Sequence, residues 1–140
     1  MPIAPEPPAA GERGFPARAR IKRQADFDVV FREGRKVVID SLVAWIRPTP
    51  EGIGCSRLGL AVGRRVGGAI ARNRCKRLLR DAFRHLSAGI PTPLDMVFVP
   101  RPASPLRRAA DARRAVTEVL ARYAAGPRKG AGGGRRRRRS

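Results

Sequence analysis

The stretch 72-RNRCKRLLR-80 holds five Arg or Lys in nine positions, with one Asn, one Cys, two adjacent leucines and no acid. Stepping roughly 100° per residue from Arg72 around a helix collects Cys75, Leu78, Leu79, Ala82 and Leu86 in an arc of roughly 240° to 340°. Arg72, Lys76, Arg80, Asn73, Arg84 and Arg77 fall between roughly 0° and 140° by the same rotation, and Phe83 sits where the two arcs meet. Arg74 and Asp81 lie apart from both arcs. The spacing predicts a helix from about Ala69 to Leu86, docked by its leucines, with a blade of positive charge facing outward. Arg72, Lys76 and Arg80 are successive i,i+4 neighbours of like sign, which weakens an isolated helix. Phosphate groups would neutralise such a face. The planar fork of Arg suits phosphate, and Asn73 can donate to phosphate or ribose.

The charge extends well beyond this helix. The 140-residue chain has 31 Lys and Arg against 11 Asp and Glu, a formal +20. Residues 21–125 alone hold 21 basic and 9 acidic side chains, a net +12. Self-repulsion of that size opposes compaction unless an anion answers it, and a polyanionic partner, nucleic acid or an anionic membrane surface, is the simplest answer. No apolar run approaches the ~18–20 residues of a membrane span, and the N-terminus lacks the basic start and apolar stretch of a secretory signal. These features predict a soluble, cytoplasmic protein with no membrane partner. Cys55 and Cys75 form no CxxC pair and are expected as free thiols.

Outward from the helix, the chain alternates. "RQADFDVVFREG" (23–34) places Phe27, Val30 and Phe31 on one helical face and stops at Gly34. "SLVAWIRPTP" (41–50) and "SRLGLAVG" (56–63) read as strands, and "VVID" (37–40) is either a separate short strand or the opening of the next one. "VGRRVGGAIARN" (62–73) brings Arg64 and Arg65 into a glycine-rich entry to the basic helix, but lacks the Gly-Lys-Ser/Thr of a Walker A loop. "DMVFVPRP" (95–102) is a fully apolar strand stopped by proline. Ser104-Pro105 opens a last helix, with Leu106, Ala109, Val116, Leu120 and Tyr123 in helical period. One α/β sandwich over residues 21–125 follows. Residues 1–20, rich in Pro and Ala, and 126–140, ending in five arginines, are expected as a disordered arm and a disordered basic tail.

The sequence offers no catalytic constellation. His85 is the one histidine, expected as a solvated or capping residue, and the acids are scattered singly. No metal-ligand spacing and no Ser-His-Asp or Cys-His set is readable. The residues describe a nucleic-acid binder whose chemistry, if any, belongs to its partner.

Four ordered segments, together covering about residues 20–125, resemble the bacterial ribonuclease P protein family. "ARNRCKRLLRDAF" fits its x-R-N-x-x-K-R-x-x-R signature at Arg72, Asn73, Lys76, Arg77 and Arg80. "RIKRQADFDVVFREG" resembles the first helix, "RLGLAVGRRVGGAIARN" the strand and helix entry, and "LDMVFVPRP" the late strand. Arg64 and Arg65 stand where the family commonly has lysines, Cys75 where an aliphatic residue is common, and Trp45 where Tyr or Phe is usual.

The resemblance implies an α/β (α+β) two-layer sandwich with a left-handed crossover around the basic helix, whereas the general rule favours the right-handed form. It implies one protein per catalytic RNA subunit. That RNA removes the 5′ leader of precursor tRNA with Mg2+ bound by RNA, and the protein itself holds no cofactor. Carried over by position, Arg64, Arg65, Arg72, Asn73, Lys76, Arg77 and Arg80 would contact the RNA subunit. Phe27, Phe31 and Trp45 would line a cleft for the single-stranded leader. The competing readings are a general RNA-binding or ribosome-associated module, an autonomous nuclease, which calls for clustered acids or His, and a helix-turn-helix DNA binder, which calls for a second short helix beside the basic one.

Overall fold

The computed structural model describes residues 19–102 and 106–126. Along the chain run helix α1 (Gln24–Glu33), strands β1 (Arg35–Val38), β2 (Leu42–Pro48) and β3 (Arg57–Leu60), helix α2 (Ala69–Ser87), strand β4 (Leu94–Pro100) and helix α3 (Ala109–Ala125). The 37–40 stretch thus contributes a strand of its own, paired antiparallel to β2 with Val37 opposite Ala44. Residues 1–18 of the expected arm, 127–140 of the expected basic tail and the Ser104-Pro105 helix start lie outside the described residues. Ala19 and Arg20, expected in the disordered arm, instead join the fold: Ala19 is buried and Arg20 bridges to Leu58 beside β3.

The four strands form one mixed sheet in the order β1-β2-β4-β3. β4 lies antiparallel to β2, with Trp45 opposite Val97, and parallel to β3, with Leu58 opposite Met96. Parallel neighbours need a long crossover connection, and α2 supplies it between β3 and β4. Hydrophobic side chains decide which face each helix covers. Leu42, Ala44, Ile46, Met96 and Phe98 point to one face and join Cys75, Leu79, Ala82 and Phe83 of α2 with Ala112, Ala115, Val116 and Val119 of α3 in the main core. Sheet, α2 and α3 make the expected sandwich. On the opposite face α1 packs Val30 against Val97 and Ile21, with Phe27, Phe31 and Trp45 partly buried beside them.

The last helix begins later than its sequence pattern suggests. Leu106 precedes it as a half-buried residue, Ala109 is exposed, and the buried face is Ala112, Ala115, Val116 and Val119. The start is fixed by Asp111, whose Oδ2 accepts the backbone N–H groups of Arg107 and Arg108 at 3.0 Å each. These two bonds hold its carboxyl below the usual aspartate range. At the other end of α3, Arg35 stacks 4.2 Å from the Tyr123 ring centroid and donates to the Tyr123 carbonyl, tying the helix to β1.

One acid anchors the face opposite the main core. Asp95, on the central strand β4, is 0% exposed. Arg57 of β3 grips both its oxygens at 2.9 and 2.7 Å, Arg47 of β2 donates at 3.2 Å, and Thr49 Oγ1 donates at 2.9 Å. Arg47 also reaches Glu33 at the end of α1, 3.0 Å away. The hydrogen bond to Asp95 raises the Arg57 pKa. The carboxylate therefore clamps three strands and, through Arg47, the end of α1. Removing one member of a buried, hydrogen-bonded charge cluster leaves the others uncompensated. Asp95→Ala should therefore cost roughly 3 kcal/mol in urea-induced unfolding, the lower part of the range for broken buried pairs, because both arginines keep some contact with water. A loss under about 1 kcal/mol would show that solvent replaces the carboxylate fully.

Candidate nucleic-acid interface

The α2 face reads largely as its rotation predicts. Cys75, Leu79, Ala82 and Phe83 are buried and Leu78 and Leu86 half-buried. Burial pushes the Cys75 thiol pKa up, so it sits in the core as a neutral, apolar group; both cysteines are free thiols. Asn73 and Arg77 are exposed, and Lys76 and Arg80 half-buried. Asn73, Lys76 and Arg77 make no side-chain hydrogen bond or ion pair among the described residues. Arg80 has its pKa lowered by desolvation and then by the charge of Arg20.

Two members of the blade have local work instead. Arg72 is half-buried and its Nη1 donates to the carbonyl of Gly67 at 2.9 Å, so this arginine also staples the helix entry. Arg84 donates to Asp81 at 2.8 Å, with Arg113 at 3.5 Å from the same carboxylate. Sequence reading missed this acid because it placed Asp81 apart from the arc, whereas Arg84 bends three residues back to meet it. His85 makes the local contacts of a surface residue, with Nδ1 3.1 Å from the Asp81 carbonyl and Nε2 3.2 Å from Arg113.

The glycine-rich entry is a 3-10 turn over Arg64–Val66. Arg64 and Arg65 are exposed there, with no side-chain partner among the described residues. Gly67 closes the turn at φ 149°, and a Cβ on it would lie 2.8 Å from the Ala71 Cβ. Both features demand glycine. The turn therefore places Arg64 and Arg65 just before the first turn of α2, which carries the exposed Ile70.

The aromatic residues gather on the α1 face. The rings of Phe27 and Phe31 lie 6.3 Å apart and stack at 30°, and Phe31 meets Trp45 edge-on at 4.8 Å. Lys36 Nζ stands 5.6 Å from the Trp45 ring centroid. All three rings are half-buried, so each packs against Ile21, Val30 and Val97 and still presents surface to solvent. Gly59 of β3 lies directly beneath Phe27, where a Cβ would come within 2.9 Å of the ring.

The two groups meet across the edge strand β3. Ile21 donates its backbone N–H to Leu58 at 2.9 Å, and Arg20 bridges to Leu58 in parallel, so residues 20–21 line the outer side of β3. Arg20 feels Arg80 on one side, and Ile21 packs with Val30 beneath α1 on the other. The structure thus brings basic helix and aromatic face to one sheet edge. Among the described residues no group of three or more His, Cys, Asp or Glu could hold a metal ion, and no helix is long and apolar enough to cross a membrane. The sequence pattern gave no sign of Asp95 and its arginines, since Arg57 and Arg47 come from strands 38 and 48 residues away.

The family model described as Ribonuclease P matches residues 15–124. The ribonuclease P protein component of Shouchella clausii is 41% identical over 82 residues, which span 59% of this chain and 66% of that protein. The counterpart from Clostridium novyi is 30% identical over 103 residues, 74% of this chain and 91% of its own length. Among solved structures, the Staphylococcus aureus RNase P protein superposes with a TM-score of 0.67 at 26% identity, covering 75% of this chain and 94% of that one. The Thermotoga maritima RNase P protein gives 0.56 at 31% identity, covering 74% and 93%.

The helix entry is the part of this interface most sensitive to one atom. Gly67→Ala should destabilise the protein by at least about 1 kcal/mol, because alanine at positive φ is strained, and it should move the Arg64 and Arg65 side-chain signals in NMR spectra. Unchanged stability together with unchanged Arg64 and Arg65 signals would contradict the role given to this turn.

Proposed function

The chain belongs to the ribonuclease P protein family, and from that premise we propose that it is the protein subunit of a ribonucleoprotein that removes the 5′ leader of precursor tRNA. The aligned stretch spans about two thirds of the first relative's length, so activity and partners are argued from the site. The observation that carries the reading is the meeting of an acid-poor cationic helix face with half-exposed aromatic rings across β3. A folded RNA presents a dense array of phosphates. Arg64, Arg65, Lys76, Arg77 and Arg80 offer cationic donors, and Asn73 a neutral one, free of internal ion pairs among the described residues. Arg72 contributes both to this surface and to its scaffold.

The aromatic side suits a different part of the substrate. A single-stranded leader exposes base faces, and Phe27 and Trp45 present ring surface to them, with Lys36 nearby for the backbone. Stacking on such a platform contributes ~1–3 kcal/mol per base and tolerates many sequences. Mature tRNA lacks the leader and so gains no such contact. In this reading the protein positions both RNAs, and the cleavage chemistry, with the magnesium it uses, belongs to the RNA subunit. One protein per RNA subunit is sufficient for this arrangement.

Binding measurements separate the two surfaces. Arg77→Ala should weaken assembly with the RNA subunit and lower the slope of log K against log salt by ~0.7–0.9, the share of one phosphate contact. An unchanged slope would remove Arg77 from the interface. Phe27→Ala should weaken precursor tRNA binding by about tenfold while leaving mature tRNA unaffected. Equal losses for the two RNAs would assign the ring to the core and not to the leader.

A further inference from the structure

A second cationic site lies on the other side of α2, away from the blade. An open cavity of about 340 Å³ sits between the first half of α2, the end of β4 and the approach to α3. Its volume falls in the range of small-ligand sites, roughly 300–1,000 Å³. Val66, Cys75 and Leu106 are among its apolar lining, and Arg74, Arg101 and Arg107 add three positive charges with no acid among the lining residues.

Two of these arginines are already held in place. Arg74 Nη2 donates to the Arg107 carbonyl at 3.0 Å, and Arg101 Nη1 donates to the Ile39 carbonyl at 3.1 Å. A guanidinium has five N–H donors, so each retains others for a ligand. Fixing a side chain beforehand lowers the ordering cost of binding. Arg107 is exposed, and its side chain makes no ion pair among the described residues. The neighbouring carboxylate, Asp111, is engaged by the backbone of Arg107 and Arg108 and lies 3.7 Å from Arg114.

An apolar slot rimmed by three guanidinium groups, two held in place and that of Arg107 open to solvent, fits a flat, mostly apolar body joined to an anion. We infer that this cavity receives one unpaired nucleotide of the bound RNA, its base against Val66, Cys75 and Leu106 and its phosphate at Arg107. Proteins read single-stranded RNA by stacking its unstacked bases on aromatic rings or on Arg guanidinium planes, and this cavity offers guanidinium groups in place of rings. The inference rests on the reading of the chain as an RNA-binding subunit and adds a contact outside both the basic blade and the aromatic face.

Methyl and arginine NMR spectra of the full chain provide the test, with adenosine 5′-monophosphate, adenosine, inorganic phosphate and a short oligoadenylate as probes. The monophosphate should move the Val66 and Leu106 methyl signals saturably. Adenosine and inorganic phosphate should each need about tenfold higher concentration, since each lacks half of the recognised groups. The oligoadenylate should move the same methyls. Arg107→Glu should weaken monophosphate binding by about tenfold or more, and Arg107→Lys should restore most of it. Equal response to inorganic phosphate, or shifts confined to Asn73, Arg77 and Trp45, would overturn the proposal. An oligoadenylate that leaves these methyls unmoved would also overturn it. If Lys76→Ala, Arg77→Ala and Arg80→Ala together leave RNA assembly intact while Leu106 still responds to the monophosphate and the oligoadenylate, the cavity stands and the basic-helix reading fails.

Discussion

Strand β4 is buried on both faces and paired on both edges, and the position of every other element follows from it. Met96 and Phe98 point into the core made with α2 and α3, while Val97 supports α1 on the reverse side. Its parallel partner β3 forces a crossover, so a helix must travel the length of the sheet between them. That helix is α2, and its basic face is brought to the edge of the sheet because its apolar face is committed to the core. Asp95 makes the same strand electrostatically central. A carboxylate without solvent is tolerable only when fully paired, and here its partners come from β2 and β3. The clamp fixes the relative height of three strands and so the spacing between the aromatic rings on α1 and the helix entry after β3.

The cations divide into two populations. Those facing inward or along the surface have protein partners: Arg47 and Arg57 with Asp95, Arg84 and Arg113 with Asp81, Arg35 with Tyr123, and Arg122 with Glu118. These tie elements together. Arg64, Arg65, Lys76 and Arg77 form the second population, clustered at the start of α2 with no such partner among the described residues. Their mutual repulsion opposes folding in isolation, and binding of an anion to the folded state offsets it. An anion that neutralises these side chains therefore also stabilises the fold.

The sequence was legible wherever a period and a composition agreed. α2 could be read almost to its ends because its leucines and arginines separate around the helix, and β4 because an apolar run closed by prolines has few other homes. The resemblance to the family signature put the candidate site on that helix. Other features depended on partners far away in the chain. Nothing around Asp95 announces Arg57 or Arg47, and nothing local orders the strands β1-β2-β4-β3. Helix α3 starts at Ala109 because Asp111 captures the N–H groups of Arg107 and Arg108 before it, a bond that the helical period alone does not announce. Arg72 looked like one more blade residue, but its fork lies within reach of the Gly67 carbonyl only because Gly67 adopts a conformation closed to other residues.

The central claim is that this protein supplies binding surfaces to a catalytic RNA. The most direct measurement is cleavage of a precursor tRNA at low magnesium by the RNA subunit alone, this protein alone, and the two combined. Cleavage in the mixture only, giving the correct mature 5′ end, is the expected result. Tight binding of the protein to the RNA with no gain in cleavage would contradict the account and leave a general RNA-binding module.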